Sequence, residues 1–154
     1  MPTYSALDVQ ATLSGPGGVV PLGMGSRAGN AEEGISIEFT EDKDRMVIGA
    51  DGSVMHSLNA SNAGRILVRL LKTSPVNAVI AQMYAFQKAS SLNWGQNLFV
   101  LTNLVTGDDY TCTSVAFEKF PRNDFGKEAG MLEYGFLAGQ IDVVLGSGIL
   151  TDAV

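Results

Sequence analysis

The sequence predicts a mainly β domain, an antiparallel β-sandwich or barrel with one flanking α-helix over about residues 75–89 and a long loop over about 41–64. Three observations predict it. Several runs alternate apolar and polar residues with a period of two, the pattern of half-buried strands. Only one stretch carries apolar residues at helical spacing. Glycine, at 18 residues against 5 prolines, stands between the runs where turns belong. A length of 154 residues suits a single domain spanning 1–154. A chain of about 150 residues buries roughly 70% of its unfolded surface, enough for a real core.

Residues 4–13 alternate cleanly, with Leu7, Val9, Ala11 and Leu13 on one face and Tyr4, Ala6, Asp8, Gln10 and Thr12 on the other. A first strand is expected there. Gly15-Pro16-Gly17-Gly18 marks a turn, and Val19 to Leu22 resumes as a short edge strand. Ile35 to Thr40 alternates again, after the loop from Gly23 to Gly34. Glu41 to Gly64 is polar and glycine-containing, too long for a routine connection and suited to binding. Arg65 to Lys72 is apolar on both faces, as a central strand is. Ser74 and Pro75 suit the N-cap and first position of a helix. Val76, Val79, Ile80, Met83 and Phe86 then form its apolar stripe. Asn97–Val105 and Tyr110–Phe120 read as strands joined by a tight turn at Thr106–Asp109, and Met131–Ala138 as another. Gln140 to Leu145 opens a last strand or a docked arm over 140–154.

Composition excludes several classes. A charged share of 17% beside 45% apolar residues is wrong for disorder. No run approaches the ~18 apolar residues of a spanning helix, so no membrane role is expected. The start, MPTYSALDVQ, lacks a signal peptide's basic and apolar regions. One cysteine, Cys112, permits no internal disulfide and suits a reducing compartment, where it reads as a small buried filler. A net charge of −6 disfavours generic nucleic-acid binding. That charge is uneven: residues 1–52 carry −5, residues 53–107 carry +4 with no acid at all, and residues 108–154 carry −5. Either folding averages the blocks over one surface, or complementary patches meet on neighbouring copies.

The chain carries no recognisable chemistry. His56 is the one histidine and has no second ligand at metal spacing, so no catalytic, cofactor-binding or metal residue is assigned. Gly23 to Gly29 has a superficial likeness to a phosphate loop, but its spacing is wrong and no GK[ST] ending follows. Asp42-Lys43-Asp44 fails as a calcium loop, because Met46 and Ile48 stand where oxygens are needed. What stands out is a polar second face on several strands: Asp8, Gln10 and Thr12, then Ser36, Glu38 and Thr40, then Glu133 and Gly135. It is either an ordinary solvated face or a wetted surface selected to be acidic.

The run Glu41 to Ser57, its continuation through Gly64 to Ser74, the helix opening Pro75-Val76-Asn77 and the end Phe136 to Asp142 together resemble bacteriophage tail tube proteins. The resemblance spans about residues 3–148, is clearest for contractile-tailed phages, and lies in the order and length of segments. It implies a virion protein without enzymatic activity or cofactor. Such subunits form hexameric rings stacked into an inner tube, with sheath, baseplate and tape-measure proteins as partners. Double-stranded DNA passes through for ejection without specific binding, and assembly takes place in the host bacterial cytoplasm. It implies a lumen lined by Asp8, Gln10, Glu38 and Glu133. It further implies subunit or ring contacts through Asp42, Asp44, Arg45, Asp51, His56, Arg65, Arg69 and Lys72, with 41–64 as the inter-ring loop. A tube of a related injection machine, or a small sandwich enzyme or binding module using His56, are the rival readings.

Overall fold

The computed structural model describes residues 3–22, 30–128 and 130–146. Residues 23–29 of the expected Gly23–Gly34 loop and residues 147–154 of the expected C-terminal arm lie outside them. Within the described residues nine strands and one α-helix follow in the order β1 Val9–Gly15, β2 Gly18–Pro21, β3 Asn30–Phe39, β4 Asp44–Ile48, β5 Val54–Leu58, β6 Gly64–Leu71, α1 Val76–Lys88, β7 Asn97–Asn103, β8 Asp108–Lys119 and β9 Met131–Val144. Among the described residues, seven strands form one antiparallel sheet in the order β2-β1-β7-β8-β9-β6-β3, while β4 and β5 pair with each other alone.

Besides β3, which already begins at Asn30 inside the expected Gly23–Gly34 loop, four local expectations change. The first strand begins at Val9, because Ala6–Asp8 form a 3-10 turn. Ser5 drives it: its carbonyl accepts the Asp8 N–H at 3.1 Å and its hydroxyl the Leu7 N–H at 3.3 Å, a local alternative to strand pairing. The segment 41–64 is not a plain loop but holds the β4–β5 hairpin. Gln140 to Val144 is no separate arm, since β9 runs unbroken through it and stays paired with β8 from Thr113 to Asp109. The fourth change is in the helix. Ile80 and Met83 are buried as expected, but the third inward side chain is Gln87, and Val79 and Phe86 stand exposed. Ser74 does accept the Val76 N–H through its hydroxyl at 3.3 Å, and Pro75 holds helical angles before the first full turn.

One sheet becomes a sandwich through a single pivot. Cys112 and Val115 on β8 are both buried, as are Ala138 and Ile141 on β9, although each pair is three residues apart. Both strands therefore swap the face they show to the core at the same level. Ser114 supplies the bend with φ +53°, and a side chain on Gly139 would press against it. The long β8–β9 ribbon thus passes from one half of the sandwich to the other, as corner strands do. The first half is β2, β1, β7, the start of β8 and the end of β9. The second is the end of β8, the start of β9, β6 and β3.

Between the halves lie Leu13, Val20, Phe99, Cys112 and Ile141 from the first and Ile66, Val68, Leu70, Phe117, Tyr134 and Phe136 from the second. Burying side chains of this size contributes about 1.5–3 kcal/mol each. Gly64 is required where the halves meet, because any Cβ there would strike the Glu38 carbonyl and the Ile141 side chain. Helix α1 closes one flank. Its Tyr84 ring stands edge-on to Phe117 at 5.3 Å, and its Asn77 accepts the Tyr134 hydroxyl at 2.9 Å. Burial raises the pKa of that hydroxyl from 10.0 to about 12.

Candidate functional site

The β4–β5 hairpin leaves the body of the domain. At its base Thr40 N–H donates to the Ala63 carbonyl at 3.1 Å, and the Asn62 carbonyl accepts the Ile141 N–H of β9 at 2.9 Å. Lys43 ties the two legs, with Nζ 2.8 Å from the Ser61 carbonyl and 2.7 Å from Asn62 Oδ1. Asn59 Nδ2 donates to Glu41 Oε2 at 2.8 Å. At the tip Gly49 N–H donates to the Ser53 carbonyl at 2.7 Å, and Gly52 takes φ +89°, a turn only glycine enters freely. Asp51 caps this turn by accepting the Ser53 N–H at 3.0 Å, and the Ser53 hydrogen bonds lower its carboxyl pKa. Every residue of β4 and β5 is exposed, including Met46, Val47, Ile48, Val54, Met55 and Leu58. A two-stranded hairpin is marginal alone, and six exposed apolar side chains on it mark a surface meant for a partner.

His56 Nδ1 lies 2.7 Å from Asp44 Oδ2, both on this hairpin and both solvent-exposed. Ser57, the nearest hydroxyl in sequence, alternates to the opposite face. Arg45 also stands on that opposite face, and Asp42 just precedes β4, where its carbonyl accepts from Asn59 Nδ2 at 3.4 Å. The hairpin therefore brings together five of the expected contact residues: Asp42, Asp44, Arg45, Asp51 and His56. No group of three or more metal-ligating side chains occurs among the described residues.

Arg65, Arg69 and Lys72 stand elsewhere and have partners in their own chain. On the outer face of β6, Arg65 Nε meets Glu118 Oε2 at 2.8 Å. Arg69 Nε lies 3.4 Å from Glu133 Oε2 and its Nη1 3.1 Å from Ser36 Oγ. Lys72 donates to the Asp124 carbonyl and covers the Phe125 ring at 3.9 Å. Folding thus joins part of the basic middle block to the acidic third block within one subunit, the plainer of the two readings of the uneven charge.

The residues expected along a lumen separate. Asp8 ends the 3-10 turn rather than lying on a strand. Gln10 is on the outer face of the first half, beside Thr12 and opposite Thr102. Glu38 and Glu133 are on the outer face of the second half. These two faces look away from each other, so one wall holds one set or the other. The outer face of the first half also carries Asp109, Thr111, Thr113, Gln140 and Asp142, paired across β8 and β9, with no lysine or arginine among the described residues there. Sequence alternation missed these because both strands change face at the pivot.

A folded-over antiparallel sheet with one α-helix, outer edges on β2 and β3 that are unpaired among the described residues, and a projecting apolar hairpin define a structural building block of a larger assembly. The chain belongs to a tail tube family: residues 1–146 match the family described as bacteriophage PhiTE tail tube protein. No curated protein sequence matches it. Among solved structures it resembles a chain of the anti-feeding prophage baseplate, at TM-score 0.62 and 8% identity over 94% of this chain and 96% of that one. It also resembles a chain of the anti-feeding prophage tube-terminating cap, at TM-score 0.55 and 13% identity over 95% and 93%. A third is a chain of the PVC extracellular contractile injection system sheath–tube complex in the extended state, at TM-score 0.53 and 10% identity over 88% of each. At these identities the likeness is one of fold. The expected tail tube fold and structural tube role hold, and the family is one of virion tail components.

Proposed function

We propose that the chain is the inner-tube subunit of a contractile phage tail, that copies close into hexameric rings, and that rings stack through the β4–β5 hairpin to form a conduit for DNA ejection. The observation that carries this reading is the hairpin: a well-tied base, a structured tip and apolar side chains exposed on both faces. A chain whose family builds tubes needs such an arm to reach a neighbour. Rotation closes a ring, and translation with twist makes the stack. The edges of β2 and β3, unpaired among the described residues, suit side-by-side closure, which removes the aggregation hazard of an open edge.

The wall of the conduit in this reading is the outer face of the first sandwich half. Gln10, Asp109, Thr111, Gln140 and Asp142 offer acids without bases, so phosphates meet repulsion and hydration rather than attractive traps. Glu133 and Glu118, held by Arg69 and Arg65, make the second half closer to neutral and suited to subunit contact. Sheath, baseplate and tape-measure proteins are the remaining partners, assembly takes place in the host bacterial cytoplasm, and the subunit has no catalytic role. Because the fold neighbours come from contractile injection systems, a tube of such a machine is the second reading; capsid and packaging genes beside this one would separate them.

Negative-stain microscopy of the purified chain tests the proposal. Rings and tubes appear as concentration rises, and Leu58→Asp, or removal of Asp42 to Ser57, prevents stacking while circular dichroism shows the domain still folded. A chain that stays monomeric and hydrolyses a small substrate, losing that activity with His56→Ala, would overturn it.

A further inference from the structure

The two faces of the hairpin differ. On one, Asp44, Met46 and Ile48 stand across from Leu58, His56 and Val54. On the other, Arg45 and Val47 stand across from Ser57 and Met55. The first face thus holds four apolar side chains around a single ion-pairing contact, and the second holds two beside an arginine and a serine. A partner that covers the first face to bury Met46, Ile48, Val54 and Leu58 must cover His56 and Asp44 as well.

In the free chain that contact is open to water, with the His56 and Asp44 side chains 64% and 50% exposed. With a neutral imidazole, Nδ1–H donates to the carboxylate and the pair carries one net negative charge. Taking that charge out of water is expensive unless it is compensated. No charged group on this face compensates it. Arg45 points to the opposite face, and Asp51 at the tip adds another negative charge. At the base, Glu41 is bonded to Asn59, Lys43 is spent on Ser61 and Asn62, and Asp42 is acidic. Both strands of the hairpin are exposed along their whole length, so no element among the described residues covers this face. A proton taken from solvent onto the imidazole makes the pair neutral overall, and the same burial then costs less.

We propose that the hairpin docks through its Met46–Ile48–Val54–Leu58 face onto a second copy of this chain, and that closing the contact takes up one proton at the His56–Asp44 pair. This rests on reading the hairpin as the contact between copies. The occupant follows from family membership, since a tube is made of repeated subunits, and from anchorage confined to the hairpin base, which leaves the whole face uncovered among the described residues.

The sign is set by linkage. The imidazole binds its proton more tightly in the contact than in the free chain. Association therefore strengthens as pH falls and weakens as pH rises through the range in which the closed contact gives up that proton. One proton per subunit changes the threshold concentration for assembly by up to about tenfold per pH unit in that window.

The test is the threshold concentration for tube formation, read by sedimentation and negative stain between about pH 5.5 and pH 8, with circular dichroism as the folding control. The native chain shows a threshold rising about tenfold or more across this range. His56→Gln, neutral throughout, shows a flat one. Asp44→Asn, which removes the buried charge, assembles more readily than the native chain at about pH 8. A flat native threshold, or the same slope in His56→Gln, overturns the proton linkage while leaving the hairpin contact standing. Assembly of Leu58→Asp at the native threshold overturns the hairpin contact itself, and a chain that assembles at no pH overturns both.

Discussion

Replacing Gln87 by methionine removes a polar lock that joins the helix to the sheet. Gln87 and Asn97 are 0% and 2% exposed and pair amide to amide, with Nε2 to Oδ1 at 2.7 Å and Nδ2 to Oε1 at 2.8 Å. The same Nε2 donates to the Pro16 carbonyl at 2.9 Å, so one side chain binds α1, β7 and the β1–β2 turn. Methionine keeps the length and the apolar stem but orphans both ends of the Asn97 amide and the Pro16 carbonyl. An orphaned buried polar group costs about 1–3 kcal/mol, and partial relaxation brings the total for the three to about 3 kcal/mol. For a domain of this size that lowers Tm by about 6–12 °C. Asn97→Leu costs a similar amount from the other side. The double variant removes both amides together and orphans only Pro16, so it is more stable than the sum of the singles by about 2 kcal/mol. Thermal and urea unfolding of the four proteins at one concentration measures this coupling. Additive losses would refute the pair as a unit.

Two further outcomes follow from the packing. Gly64→Ala forces a methyl into the Glu38 carbonyl and Ile141, and overpacking of this kind costs about 1–3 kcal/mol, whereas Gly126→Ala, with open space around it, stays within about 0.5 kcal/mol; urea midpoints compare the two. Stability falls on the alkaline side. Burial, with the Asp142 charge adding to it, raises the Cys112 thiol from 9.0 to about 11, and burial raises Tyr134 from 10.0 to about 12. The folded chain holds these protons longer than the unfolded one, so stability is full below about pH 9 and is lost as pH rises through about 11 and 12. Denaturation curves between about pH 8 and 11 measure the loss, and a flat response would show that neither group is as buried as it stands here.

The body of the fold was legible because its strands bury one face each. Val9 to Leu13, Ile35 to Phe39 and Met131 to Ala138 alternate in sequence, and their inward residues join one core. Two kinds of feature escaped. At Ser114 and Gly139 both ribbon strands change face, so alternation read straight through misassigns everything beyond; the three-residue gaps between Cys112 and Val115 and between Ala138 and Ile141 carry the sign of it. On α1, a hydrophobic stripe cannot reveal that a glutamine replaces phenylalanine in the interior, because the amide is acceptable there only with Asn97 opposite, ten residues away in sequence.

The hairpin escaped for a reason that bears on its role. A strand packed on one face within its own chain alternates, since the other face meets water. Met46-Val47-Ile48 and Val54-Met55 do not alternate, and they stand among polar residues in a segment that otherwise reads as loop. Neither face packs on the described residues of the domain, so nothing described there selects which should be apolar. Exposed apolar side chains on both faces weaken solubility in the free subunit and gain stability only when something outside covers them. The missing alternation that hid β4 and β5 as strands is thus what a strand looks like when its partner is another molecule. The Asp44–His56 contact set within one of those faces then decides how readily that partner is taken.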